Sequence, residues 1–328
     1  MRVCVISAVY NEEENISRLL DSLLNQSRVP DEIIIVDDGS EDATSSIVKA
    51  CALNHPIVRY IFQENQGPAA ARNKAWKSTN TDICLFTDGD CVPEPVWVEA
   101  MLKPFSDPLV GASAGTYKTL NPGSLLARFI GLEIAWRYRN VAGEVDAHGS
   151  YSLGIRKKVL QEIGGYKEDY KKPSGEDWDL TYKISRRYKI IFTPKAVVGH
   201  YHPESFTWYF NNQARRGYDR MRVYKDHSDK RGGDTYTGAI VKYQVAGAAL
   251  FIASVPLLHP AVPFGWLLSV LLAAFLFVTT WIPFGYYASR DLPVAFASIL
   301  IQFVRFFAWM AGGLAGFFQF NLLQRRRQ

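Results

Sequence analysis

The sequence predicts an α/β domain built on a mostly parallel sheet with helices on both faces, followed by an α-helical transmembrane region. Three observations predict it. Apolar runs of strand length alternate with helix-period segments through the N-terminal third. Two of those runs end in paired carboxylates, Asp37-Asp38 and Asp88-Gly89-Asp90, at the position where a parallel sheet presents ligands. From 243 to 289, 47 residues pass without an Asp, Glu, Lys or Arg.

Val3-Cys4-Val5-Ile6-Ser7 reads as the first strand and runs into the polar Tyr10-Asn11-Glu12-Glu13-Glu14-Asn15. Ile16, Leu19, Leu20, Leu23 and Leu24 follow at helical spacing, and Pro30 closes the unit. Glu32-Ile33-Ile34-Ile35-Val36 is a second buried strand, ending at Asp37-Asp38-Gly39-Ser40. A helix is predicted over 41–53 and a third strand over 57–62. Gly67-Pro68-Ala69-Ala70-Ala71-Arg72-Asn73 opens another helix, with glycine and proline marking its start. The fourth strand, Asp82-Ile83-Cys84-Leu85-Phe86, ends abruptly at Asp88 and Asp90, and Pro93 and Pro95 stop its continuation. Such alternation means parallel strands whose carboxyl ends share one edge. Both acidic turns and the Ala8-Val9-Tyr10 loop therefore face one crevice.

Two carboxylates one residue apart repel each other unless a cation lies between them. Mg²⁺ or Mn²⁺ suits them, being hard, oxygen-seeking and able to bridge to phosphate oxygens. A solvated polar turn is the bland alternative. No GxGxxG follows the first strand and no GxxxxGK[ST] occurs, which disfavours a dinucleotide fold and a P-loop.

Beyond Pro104 the pattern loosens. A strand is predicted over 110–114 and an amphipathic helix over 125–139. Ser174-Gly175-Glu176-Asp177-Trp178-Asp179 starts a helix over 180–188, where acids also suit the dipole. A short strand over 190–192 precedes Val197-Val198-Gly199-His200-Tyr201-His202. From 205 to 224 aromatics interleave with Arg215, Arg216, Arg220 and Arg222, as on a helix lying at a membrane surface or on an ordinary amphipathic helix.

The uncharged run is roughly 70 Å long as helix, enough for two crossings of a core about 30 Å thick. The spans are placed near Ile240–Leu258 and 264–286, with Pro256, His259, Pro260 and Pro263 at the turn. A third apolar stretch, 292–323, carries only Arg305, which suggests either an in-plane helix followed by a span or an arginine buried against protein. Three crossings would put Arg325-Arg326-Arg327 on the far side, against the positive-inside tendency. The domains read as 1–204 catalytic, 205–237 interfacial and 238–328 transmembrane. Net charge is +5, and basic excess beside apolar segments points to anionic lipid head groups rather than nucleic acid. Cys4, Cys51, Cys84 and Cys91 lack framework or metal spacing and read as reduced cytosolic thiols, and the N-terminus does not read as a signal peptide. The expected place is the cell membrane with the catalytic part cytoplasmic.

With these residues assembled, the chain resembles a membrane-attached family 2 glycosyltransferase of the GT-A fold over about residues 1–220. The resemblance rests on motifs in order: Val9-Tyr10-Asn11-Glu12, Val36-Asp37-Asp38-Gly39-Ser40, Gly67 to Asn73, Thr87-Asp88-Gly89-Asp90, Gly164-Gly165-Tyr166, Gly175-Glu176-Asp177 and Gln213-Ala214-Arg215-Arg216-Gly217. It implies that Ala8, Tyr10 and Glu12 line the nucleotide pocket, that Asp38 holds the base, and that Arg72, Asp88 and Gly89 lie against the nucleotide sugar. It implies Asp88, Asp90 and His200 as metal ligands, with His202 the alternate, and Asp177 of the Glu176-Asp177 pair as general base. Gln213, Arg215 and Arg216 are similar to the Gln-x-x-Arg-Trp motif of processive members, but Gly217 replaces its tryptophan. Ala8 also stands where many members carry proline. The expected donor is a UDP- or GDP-sugar and the expected acceptor a hydroxyl on a membrane-associated, lipid-linked saccharide. The alternatives are a polyprenyl-phosphate glycosyl synthase and a silent nucleotide-binding scaffold.

Overall fold

A computed structural model describes residues 1–323 apart from 142, 173, 260, 261 and 263. Pro260, Pro263 and the Arg325-Arg326-Arg327 run named above lie outside the described residues. In chain order the elements begin β1 (Val3–Val9), α1 (Ile16–Leu24), β2 (Glu32–Asp37), α2 (Thr44–Asn54) and β3 (Val58–Phe62). α3 (Pro68–Lys77), β4 (Ile83–Phe86), β5 (Cys91–Pro93), α4 (Trp97–Leu102), β6 (Val110–Thr119) and α5 (Leu125–Tyr138) follow. Then come β7 (Glu144–Val145), β8 (Leu153–Arg156), α6 (Lys157–Ile163), α7 (Glu176–Ser185) and β9 (Lys189–His200). The remainder is helical: α8 (Phe206–Asp226), α9 (Ile240–Ser254), α10 (Gly265–Thr280), α11 (Phe284–Ala288) and α12 (Leu292–Phe317).

Contacts divide the chain into two units. The first holds residues 1–120 and 140–201 and contains one sheet in the order β3-β2-β1-β4-β8-β6-β9-β5, with β7 beside β9. β1 pairs in parallel with β2 and β4, and β2 with β3, so Val9, Asp37 and Phe86 end at one edge. β8 runs antiparallel to β4 and β6, which makes the sheet mixed rather than purely parallel. The continuous apolar runs of the first strands place them in the core of this unit. Ile33, Ile35, Val3, Val5 and Leu85 have no exposed surface and pack with Leu19, Leu20, Leu23 and Trp97.

Several elements exceed their sequence readings, among them β6, which runs to Thr119 rather than 114. The short strand at 190–192 is part of the 12-residue β9. It passes through Pro194 because the register with β6 shifts between Ala114 and Thr116, where an irregular ladder tolerates a missing N–H. α7 begins at Glu176 rather than at 180, so the acidic pair forms its first turn.

The second unit comprises residues 121–139 and 202–328. α5 thus groups with the C-terminal helices rather than with the sheet. Its Leu126 and Phe129 pack on Tyr209, Tyr287, Val294, Ala295 and Ile301, which are better apolar partners than water. Among the described residues, three helical stretches are long and apolar enough to cross a membrane: Ile240–Leu258, Gly265–Ala288 and Leu292–Phe320. Arg305, inside the third, is 3% exposed and pairs with Glu133 of α5. Its side chain is thus buried against protein.

Candidate active site

The sheet edge gathers the acids. β1 delivers Tyr10 (exposed) and Glu12, β2 delivers Asp37 and Asp38, and the turn after β4 delivers Asp88, Gly89 and Asp90. A Cβ on Gly89 would lie 2.8 Å from Glu12 Cγ, so the acidic turn approaches the β1 loop as closely as backbone permits. Ala8 sits within β1 opposite Val36 of β2.

Arg72, on α3, joins two parts of the site. Its Nη2 donates to Asp88 Oδ1 at 2.8 Å and its Nη1 to Glu176 Oε1 at 3.0 Å. The guanidinium lies 5.5 Å from the centre of the Tyr166 ring. Burial alone would lower its pKa, but the Asp88 and Glu176 carboxylates outweigh that and raise it. One cation therefore ties the acidic turn to the Glu-Asp pair, residues separated by 88 positions along the chain (88 to 176).

Asp177, beside Glu176, accepts a hydrogen bond from the Trp178 N–H at 2.9 Å. Burial, then the Glu176 carboxylate, pushes its carboxyl up to about 8. A carboxyl raised this far at a cleft is poised to take a proton. Glu12 is likewise raised to about 7, by burial first and then by Asp90 and Asp88.

On the other side, His200 Nε2 lies 3.2 Å from Asp90 Oδ2. Burial opposes protonation of this imidazole, but Asp90 outweighs it and the pKa is raised. Ligand atoms of Asp90, Cys91 and His200 all lie within 4.8 Å of one another. The carboxylate oxygens and imidazole nitrogen fit Mn²⁺ or Mg²⁺. The thiol does not: burial, then Asp90 and Asp88, push Cys91 well above the ordinary thiol range, so it stays protonated. β9 ends at His200 and pairs it with Cys91 of β5, whereas His202 falls in the second unit. His200 is brought to Asp90.

Asp38 is engaged by the loop before α3. Its Oδ1 accepts from Gln63 Nε2 at 2.7 Å and Gln66 N at 2.9 Å, and its Oδ2 accepts from Gly67 N at 2.9 Å. The carboxylate, 4% exposed, organises the 63–67 loop at the start of α3. Gly67 itself has φ +95°, and a Cβ there would stand 2.7 Å from Lys171 O, so only glycine closes this loop. Gln213, Arg215 and Arg216 lie on α8, in the second unit.

Several site neighbours escaped the sequence reading. Tyr117 of β6 stacks on Tyr151 with centroids 3.5 Å apart and stands 4.8 Å from the His200 ring. His148 places Nδ1 2.8 Å from Gly149 O and Nε2 2.8 Å from Gly115 O, tying down the turn next to Asp177, and burial lowers it to about 4. Tyr166, quoted only as part of a glycine motif, is the ring beneath Arg72. No spacing rule flags a lone tyrosine or histidine whose partners come from distant strands.

The mixed sheet with acid-tipped parallel strands is a GT-A-like fold, shared with solved glycosyltransferases. Residues 4–163 match the model of glycosyl transferase family 2. The chain is 26% identical over 229 residues to a probable glycosyltransferase of Bacillus subtilis, covering 65% of this chain and 54% of that protein. It is 27% identical over 221 residues to a poly-beta-1,6-N-acetyl-D-glucosamine synthase of Staphylococcus aureus, covering 65% and 53%. The chain thus spans about half the length of these curated relatives. A mannosyltransferase from Pyrobaculum calidifontis, solved with GDP-Man and Mn²⁺, shares the fold with a TM-score of 0.64 and 20% identity, over 98% of this chain and 88% of that one.

Proposed function

We propose that this chain is an inverting, divalent-cation-dependent transferase that moves a sugar from a UDP- or GDP-sugar to a hydroxyl of a membrane-associated, lipid-linked saccharide. The observation that carries the reading is the Arg72 bridge, which holds Asp88 and Glu176 to one guanidinium at 2.8 and 3.0 Å. It puts the donor-side acids and the base-side acids within one side chain of each other.

In the proposed reaction the acceptor hydroxyl attacks the anomeric carbon of the donor. A new carbon–oxygen bond forms as the bond from that carbon to the diphosphate oxygen breaks. Asp177 takes the hydroxyl proton and the nucleoside diphosphate leaves with the electron pair. A hydroxyl has a pKa far above 7, so a base in reach is required. A single displacement inverts the anomeric centre. Asp90 and His200, with Asp88, would hold Mg²⁺ or Mn²⁺, which would stabilise the charge growing on the diphosphate. Arg72 keeps Asp88 and Glu176 in place, leaving Asp177 as the carboxyl next in line. Gln213, Arg215 and Arg216 are assigned to the leaving phosphates by their motif alone.

The test is donor turnover by the full chain in detergent, with UDP- and GDP-sugars, with Mn²⁺, Mg²⁺ or chelator. Cation-dependent release of UDP or GDP that increases with a saccharide-lipid acceptor is the expected result. Transfer to a polyprenyl phosphate that survives Asp177→Asn would instead point to a phosphate acceptor, which needs no base. Cation-dependent nucleotide binding without turnover of any donor would favour the scaffold.

A further inference from the structure

Residues 148–152, between β7 and β8, form a turn that borders the carboxyl of Asp177. A Cβ on Gly149 would stand 3.4 Å from Asp177 Oδ2 and 2.8 Å from Tyr151 Cδ1, so bare backbone meets the carboxyl here. The rest of the turn is held through side chains. Ser150 Oγ lies 2.9 Å from Tyr166 OH, and Ser152 Oγ accepts from Trp97 Nε1 at 2.8 Å. Gly149 has no side chain, so it can be held only by its backbone groups. Its carbonyl is met by His148 Nδ1 at 2.8 Å.

The other edge of the His148 ring faces β6, where Nε2 lies 2.8 Å from Gly115 O. Gly115 sits where the register of β6 with β9 shifts, between Ala114 and Thr116. At such an irregularity a carbonyl can leave the ladder for a side chain. Only glycine fits there, since a Cβ would collide with Ser152 Oγ and Ala196 O.

Two carbonyls thus face one fully buried ring, and a neutral imidazole has a single hydrogen to donate. Burial lowers His148 to about 4, so the neutral ring is the form present near pH 7. One of the two contacts is therefore a hydrogen bond and the other is not. Tyr151 OH, 3.2 Å from Nε2, decides between them. It can donate to Nε2, which leaves the ring hydrogen on Nδ1, aimed at Gly149 O.

α7 closes the circuit. His148 N donates to Thr181 Oγ1 at 3.4 Å, and Thr181 Oγ1 donates to Asp177 O at 2.8 Å. The backbone of Asp177 and the wall beside its carboxyl are both tied to His148, one through its amide and the other through its ring. A base works only when it points at the hydroxyl it deprotonates, and a displacement of about 1 Å can cost about 10²-fold.

We propose that His148 is a positioning residue for sugar transfer, its ring holding Gly149 O so that the turn keeps the Asp177 carboxyl aimed at the acceptor hydroxyl. This role rests on Asp177 being the base, as proposed above.

Three variants of the full chain test it. An Asn amide nitrogen stands where Nδ1 stands, and a Gln amide nitrogen where Nε2 stands. His148→Asn therefore restores the Gly149 contact alone, and His148→Gln the Gly115 contact alone. Tyr151→Phe keeps the ring that stacks on Tyr117 and removes the hydroxyl that selects the Nδ1 hydrogen. Kinetics are measured in detergent with Mn²⁺, with UDP-glucose, UDP-N-acetylglucosamine and GDP-mannose as donors and octyl glucoside as the hydroxyl acceptor. His148→Asn is expected to keep kcat within about threefold, and His148→Gln to lose about 10–100-fold, with the donor KM unchanged in both. Tyr151→Phe is expected to lose about three- to tenfold in kcat, again at constant donor KM. Equal losses in Asn and Gln, or a larger loss in Asn, overturn the proposal, because a purely structural tie would not favour the Gly149 side. An unchanged kcat in Tyr151→Phe also overturns it, and that variant decides alone if the His148 variants do not fold. Full turnover in all three variants fails the positioning role and leaves Asp177 as the base. An unaltered chain that turns over none of the donors fails both.

Discussion

Replacing Asp177 by Asn should abolish transfer and stabilise the protein at the same time. The carboxyl is raised from 3.8 to about 8 by burial and by Glu176, so in the free protein its ionisation is opposed by its surroundings. Because the folded value lies above the unfolded one, folding takes up a proton between the two. Stability is fully present below about 4 and is lost progressively as pH rises to about 8. The full shift corresponds to a ceiling of about 6 kcal/mol, since each unit is about 1.4 kcal/mol. Asn is the same size and carries no charge, so the variant escapes this loss. We expect it to gain about 1–3 kcal/mol over the native protein at pH 8, with the gain shrinking toward zero near pH 4. Transfer to a hydroxyl should fall about 10²–10⁴-fold, the usual contribution of a positioned base. The assay pairs donor-to-acceptor transfer with denaturant melts of nucleotide-free protein at pH 5, 6.5 and 8. A variant that transfers normally, or that is less stable than the native protein at pH 8, would refute the assignment of Asp177 as a strained, proton-accepting carboxyl.

Arg72→Met removes the cation shared by two carboxylates and leaves Glu176, 3% exposed, without it. Breaking a buried pair in this way costs about 3–5 kcal/mol, read as a lowered denaturation midpoint, and donor turnover should fall with it. Gly217→Trp, which would recreate the processive motif, should fail to rescue polymer synthesis and should destabilise the α8–α12 pair. The new Cβ would meet Trp309 O at 2.5 Å and a backbone carbonyl cannot yield as a flexible side chain can. Thermal melts in detergent, with product length by gel, check both parts.

The chain shows where sequence patterns suffice and where they do not. β2 and β4 were legible because each is a short run of apolar residues with punctuation at both ends. Ile33 to Val36 and Ile83 to Phe86 are completely buried, so no polar face confuses the period. β5 and β7, of three and two residues, offer no period to read. α5 looked like part of the sheet domain because it lies between strands in sequence. What assigns it elsewhere is Glu133, whose partner Arg305 is 172 residues away. The acids of the site were legible because their spacing is local. The Arg72 bridge and the Tyr117–Tyr151 stack depend on strand order across the sheet and carry no local signature.

The charges around the cleft also imply an order of binding. Glu12, Asp88, Asp90, Glu176 and Asp177 face Arg72 and His200, so acidic groups outnumber basic ones. The raised pKa values of Glu12, about 7, and Asp177, about 8, are the visible result of that excess together with burial. A nucleoside diphosphate brings further negative charge to the same edge. Arg72 has both its terminal nitrogens engaged, by Asp88 and Glu176, and offers little to receive it. A divalent cation between Asp90 and His200 would reverse the local sign, as bound ions do in such sites. Cation binding should therefore precede donor binding. Calorimetry should find UDP- or GDP-sugar affinity at least about tenfold weaker in chelator than in Mn²⁺, a difference of about 1.4 kcal/mol. It should also find protons released as the cation enters, because Glu12 sheds its proton beside the new charge. Equal donor affinity with and without the cation would mean that the acids at this edge serve the fold rather than the phosphates.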